Sequence, residues 1–85
     1  AGSDTLKTAL IGCGGRGTGA ANQNLNVSKG IKLVAMADIA RDRLEKSLEI
    51  LKKQHPDQVD VSQGNQFIGF DAYKEAIALA DLVYI

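Results

Sequence analysis

Residues 6–11, Leu-Lys-Thr-Ala-Leu-Ile, run directly into Gly12-Cys13-Gly14-Gly15-Arg16-Gly17, and this junction constrains the fold more than any other stretch of the chain. A short apolar, β-prone run reads as a strand, and glycines crowded at its end read as a turn. The spacing G-x-G-x-x-G has meaning where a strand gives way to a helix, because each glycine then has its own steric task. Gly12 permits the tight turn, Gly14 lets backbone approach a pyrophosphate, and Gly17 lets the helix pack closely on the strand. Amides opening that helix, with its dipole, would hold phosphates without a lysine. No Gly-Lys-Ser/Thr ending follows, which argues against a P-loop nucleoside triphosphatase. Taken alone, the pattern is also what a plain flexible turn would give in a chain with nine glycines, so the surrounding elements decide.

Those elements alternate. Gly17 to Leu25 offers a narrow apolar stripe of Ala20, Ala21 and Leu25, suited to a short helix against a sheet. Asn26 to Gly30 is a turn, and Ile31 to Ala37 is nearly continuous apolar sequence, as expected of a strand buried on both faces of a parallel sheet. From Ile39 to Gln54, Leu44, Leu48 and Leu51 recur at helical spacing, with Asp42 and Lys46, and Glu49 and Lys53, paired i,i+4 on the wet side. His55-Pro56 ends this helix, because the residue before proline is pushed out of the helical region. Residues 57–66 are weakly patterned. Phe67 to Phe70 reads as a brief third strand, and Asp71 as the N-cap of a helix reaching Leu79 with Tyr73, Ala76 and Ile77 on its buried side. Asp81 to Ile85 returns to strand. Strands alternating with helices over short loops imply an α/β fold of Rossmann type, a parallel sheet with helices on its faces. The last strand has only begun at Ile85, so residues 1–85 are expected to be part of a dinucleotide-binding domain in a longer protein.

A second feature agrees with the glycine turn. Asp38 closes the second strand, 21 positions beyond Gly17, close to the ~20-residue offset at which an acidic group meets the ribose hydroxyls of a dinucleotide. The bland role for Asp38 is the N-cap of the helix that follows, which it could fill at the same time. A carboxylate there repels a 2′-phosphate and so points to NAD over NADP. Arg41 reads as solvated surface charge, whereas Arg43 is balanced between that role and a contact to phosphate or adenine.

Composition narrows the partners. Eighty-five residues allow one small domain, and 45% hydrophobic with 24% charged residues is ordinary for a globular chain. Ten basic residues offset ten acidic ones, and no basic patch with interleaved aromatics is present, so nucleic acid is not an expected ligand. No apolar run approaches the ~20 residues of a bilayer span. The single cysteine, Cys13, cannot form an internal disulfide, which leaves the compartment open between cytoplasm and periplasm.

In Leu10-Ile-Gly-Cys-Gly-Gly-Arg-Gly-Thr-Gly-Ala20, Leu33-Val-Ala-Met-Ala-Asp38 and Gly69-Phe-Asp-Ala-Tyr-Lys-Glu75, the chain resembles the N-terminal domain of the Gfo/Idh/MocA oxidoreductases, over nearly its whole length. The resemblance implies that Gly12, Gly14, Gly15 and Arg16 contact the pyrophosphate through backbone groups, that Asp38 holds the adenosine ribose, and that Ile39 flanks the adenine. It further implies hydride transfer between a nicotinamide ring and a sugar, cyclitol or related polyol, in a homo-oligomeric parent protein. The family's catalytic lysine lies in a Glu-Lys-Pro motif beyond this stretch, and its catalytic acid or base in a second domain. Glu45-Lys46-Ser47 does not match that motif, so no catalytic residue is expected here. Several members with this glycine block look like twin-arginine-exported proteins.

Other residues take plainer roles. His55 at a helix end suits a cap, Cys13 suits a small buried side chain despite its place near a helix N-terminus, and Tyr73 suits packing. Two other functions compete: a dinucleotide sensor without catalysis, since a Rossmann domain fixes binding and leaves chemistry to other sites, and an S-adenosylmethionine-dependent methyltransferase, which the compact G-x-G-x-x-G disfavours.

Overall fold

The computed structural model describes residues 6–12, 14–28 and 30–84, the side chain of Arg16 excepted. The expectation for Cys13 therefore lies outside the described residues. The elements run β1 (Leu6–Ile11), α1 (Gly15–Val27), β2 (Ile31–Asp38), α2 (Arg41–Gln54), a short 3-10 turn at Gln63–Asn65, β3 (Gln66–Ile68), α3 (Ala72–Ala78) and β4 (Leu82–Tyr84). The four strands form one sheet in the order β3-β2-β1-β4, every pair parallel. The architecture is α/β and Rossmann-like, with the order of connection reversing between β1 and β4.

Each sheet face has its own core. On one side, large residues dominate: Leu10, Leu33 and Met36 from the sheet meet Leu25 of α1 and Leu44 and Leu51 of α2. Full burial of each such side chain is worth about 1.5–3 kcal/mol, which makes this the principal core. On the other side the buried residues are alanines, Ala9, Ala35 and Ala37 of the sheet against Ala72 and Ala76 of α3, with Ile11, Val34, Phe67 and Val83 partly buried beside them. Small residues there let the short α3 lie close to the strands.

β2 contains an irregularity that the sequence does not announce. Its register against β1 slips by one residue between the pairs Thr8 with Leu33 and Ala9 with Ala35, leaving Val34 over. Leu33 and Met36 then face the large-residue core, while Ala35 and Ala37 face α3. Strict alternation could not produce that pattern, since Leu33 and Met36 are three apart. The Asn65 side-chain amide donates to the Val34 carbonyl (3.1 Å), and the Leu33 amide and carbonyl pair with Gln58 and Asp60 on either side of Val59.

Several boundaries differ from expectation. α1 begins at Gly15, two residues early, and Ala20 on it is exposed while Ala21 and Leu25 are buried. α2 starts at Arg41 and not Ile39, with Ala40 and not Asp38 in the N-cap position. Asp71 does occupy the N-cap position of α3, without a side-chain capping bond. Tyr73 and Ile77 are exposed, and the buried side of α3 is instead Ala72 and Ala76. His55 stands at the C-cap of α2 as expected, its amide donating to the Leu51 carbonyl (2.8 Å), and its buried ring hydrogen-bonds to Asn22 of α1. Buried hydroxyls of Thr18 and Ser47 share a second α1–α2 hydrogen bond (2.6 Å). Among the described residues, no helix is long and apolar enough to cross a membrane.

Candidate functional site

The site forms where β1, β2 and β3 end. β1 stops at Ile11, and the Gly12 amide continues the ladder by donating to the Ala37 carbonyl (2.8 Å). Gly12 then takes a φ of +79°, a left-handed conformation that L side chains rarely adopt, and the chain turns into α1 at Gly15. The close approach belongs to Gly17. A Cβ built there would stand 2.4 Å from the Gly12 carbonyl oxygen and 3.3 Å from Leu10 Cδ1, so any side chain would push α1 off the turn. Added Cβ atoms at Gly12, Gly14 and Gly15 meet nothing within 4 Å, which means the space beside the turn is open.

That space is part of a cavity of about 630 Å³, a size usual for small-molecule and cofactor sites. Gly12, Gly14, Gly15 and Gly17 line it from β1 and α1, and Ala37, Asp38 and Ile39 from the end of β2. Arg43 borders it from α2, and Gly69, Phe70 and Tyr73 from the β3–α3 turn. Six of the seven residues expected at the site thus surround one cavity. The seventh, Arg16, lies in the first turn of α1, and its side chain is outside the described residues.

Asp38 is buried, with only 7% of its surface exposed. Its Oδ1 accepts from the Ala40 amide (3.0 Å), a bond across two residues that shapes the β2–α2 turn, while its carbonyl accepts from the Gly69 amide (2.9 Å). The carboxylate is thereby fixed by its own turn. Across the cavity, Gly14 begins α1 with no side-chain cap, and no acidic residue lies in the first turn. The early amides of a helix lack intrahelical acceptors, and the helix dipole adds partial positive charge there.

Open glycine backbone, a helix start and a buried carboxylate fit a diphosphate and a sugar diol, which is the donor and acceptor set of a dinucleotide. Gly14, Gly15 and Arg16, whose amides open α1, would hold its diphosphate and Asp38 its ribose, whereas the Gly12 amide, expected at the diphosphate, is engaged by the Ala37 carbonyl. Among the described lining residues, the ionisable side chains are Asp38, Arg43 and Tyr73, and none is histidine or lysine. The lining is equipped to bind and orient.

Gly69, Phe70 and Tyr73 were not expected at the site. Gly69 has a φ of +128° and is tied to Asp38 through its amide, so the β3–α3 turn arrives beside β2. The signal that could have found them is position: in parallel sheets, ligands bind at the carboxyl ends of strands, and Gly69-Phe70-Asp71 follows directly on β3. Arg43 also borders a second groove between α1 and α2, shared with Gly14, Gly15 and Lys46. Compared with known proteins, the chain matches no family model and no curated protein.

Proposed function

We propose that the chain binds NAD(H) and is the cofactor half of an oxidoreductase that moves hydride between a nicotinamide ring and a sugar, cyclitol or other polyol. The observation that carries the reading is that Asp38 and the glycine turn, 21 positions apart in sequence, border the same cavity at the carboxyl edge of the sheet. The bound cofactor would supply the hydride acceptor or donor. The chain's own part is to hold the diphosphate on the amides opening α1, and to accept the hydroxyls of the adenosine ribose at the Asp38 carboxylate.

A 2′-phosphate would meet the negative Asp38 in a buried setting, where repulsion is weakly screened. Arg43 borders the same cavity and offsets part of that repulsion, so the preference for NAD is one of degree. Equilibrium titration of the chain with NAD and with NADP tests this. Asp38→Ala removes both a charge-assisted acceptor and the repelling group, so NAD binding should weaken about tenfold or more and the gap to NADP should close. An unchanged cofactor preference in the variant refutes the assignment. A dinucleotide sensor is the second reading, because the described lining offers no lysine or histidine for proton transfer; substrate-dependent reduction of NAD by the parent protein distinguishes the two.

A further inference from the structure

Resting on the dinucleotide reading, we propose that Phe70 and Tyr73 form the aromatic wall on which the adenine base stacks. A sugar whose hydroxyls meet Asp38 carries its base on the adjoining carbon, so the base must lie against whatever borders the cavity next to that carboxylate. The β3–α3 turn occupies this position, anchored by the Gly69 amide on the Asp38 carbonyl (2.9 Å). Phe70 is the next residue and Tyr73 is the second residue of α3, and both line the same cavity as Asp38.

The exposure of these rings supports the assignment. Phe70 is 87% exposed, Ile39 59% and Tyr73 42%. Single exposed apolar residues need no explanation, but three that line one cavity with Asp38 and Arg43 are what a binding surface presents. The shape of the turn accounts for Phe70 being outside the core: Gly69 takes a backbone conformation that few other residues adopt, and the Ala72 amide closes the turn on the Gly69 carbonyl (3.3 Å). A flat ring beside a ribose-binding carboxylate offers a base the face-on contact that aliphatic side chains give less well, and such stacking is sequence-tolerant and substantial.

The test titrates the chain with ADP-ribose and follows tyrosine emission, which is usable because the chain has two tyrosines and no tryptophan. In a Tyr84→Phe background the signal belongs to Tyr73. Binding should change that emission, Phe70→Ala should weaken ADP-ribose about tenfold, and Phe70→Tyr, which keeps a ring, should retain the affinity. Because Phe70 is almost fully exposed, its removal should leave the thermal midpoint in place, so a lost affinity is not a lost fold. If the unsubstituted chain binds neither ADP-ribose nor NAD, the dinucleotide reading fails and this one with it. If it binds and Phe70→Ala binds equally well, only the stacking assignment is overturned. A change of oligomeric state in Phe70→Ala with affinity unchanged would likewise overturn it, by making the patch a protein contact.

Discussion

At the scale of single residues, the glycines of the first turn are not equivalent, and their neighbours say which can be replaced. Gly17 has no room: its Cβ would fall 2.4 Å from a backbone oxygen that cannot rotate away. Gly17→Ala should therefore lower stability by about 1–3 kcal/mol and disturb the glycine turn. Gly19, one position beyond Thr18 on the same helix, has nothing within 4 Å of an added Cβ. Gly19→Ala should raise stability by up to about 1 kcal/mol, because alanine is the better helix former. Urea unfolding midpoints of the two variants check the pair, and a like response at both sites would contradict the steric distinction. The role of Gly17 was legible in the sequence because its spacing from Gly12 encodes a three-dimensional contact. The open site at Gly19 was not, since only the packed structure reveals which side of α1 is empty.

Elements are held together here by a few buried polar contacts as well as by apolar area. α1 and α2 share the Thr18–Ser47 hydroxyl pair (2.6 Å) and the bond between Asn22 and His55. Ser47→Ala removes one partner of a buried bond and should cost about 1 kcal/mol, read as a lower thermal midpoint. Ser47 stands four residues before Leu51 and three after Leu44, so it lies on the apolar stripe; a leucine-based reading passed over it because serine is small and polar. The reverse error occurred in α3. Weighting by size and apolarity assigned Tyr73 and Ile77 to the core, whereas the sheet accepts only Ala72 and Ala76 at close range. For a helix of seven residues the periodic signal spans two turns, too few to say which stripe faces inward. The same misassignment concealed the cavity-facing position of Tyr73, so the element that was least legible also carried the part of the site that was missed.

Across the whole molecule, alternating strands and helices were enough to specify a parallel sheet with helices on both faces, and the paired position of Gly17 and Asp38 was enough to foresee that both would border one cavity. Edge strands were less legible because they are short. In β4, burial pushes the Tyr84 hydroxyl above its ordinary pKa of about 10, and the nearby Thr8 hydroxyl offsets part of that rise although it does not meet hydrogen-bond geometry with it. The folded chain thus holds this proton more tightly than the unfolded chain. The stability it contributes is intact below about pH 10 and is lost as pH climbs through the raised value. Tyr84→Phe should flatten the alkaline decline in thermal midpoint, and an identical pH profile in the variant would show that other groups govern it. A last consequence follows from the residue left over in β2. An odd insertion inverts the parity of every position downstream of it, so Val34, four places before the strand ends, decides on which side of the sheet Asp38 emerges. The lining of the cavity is therefore partly a matter of counting, and a miscount remote from it would aim an intact carboxylate at the wrong layer.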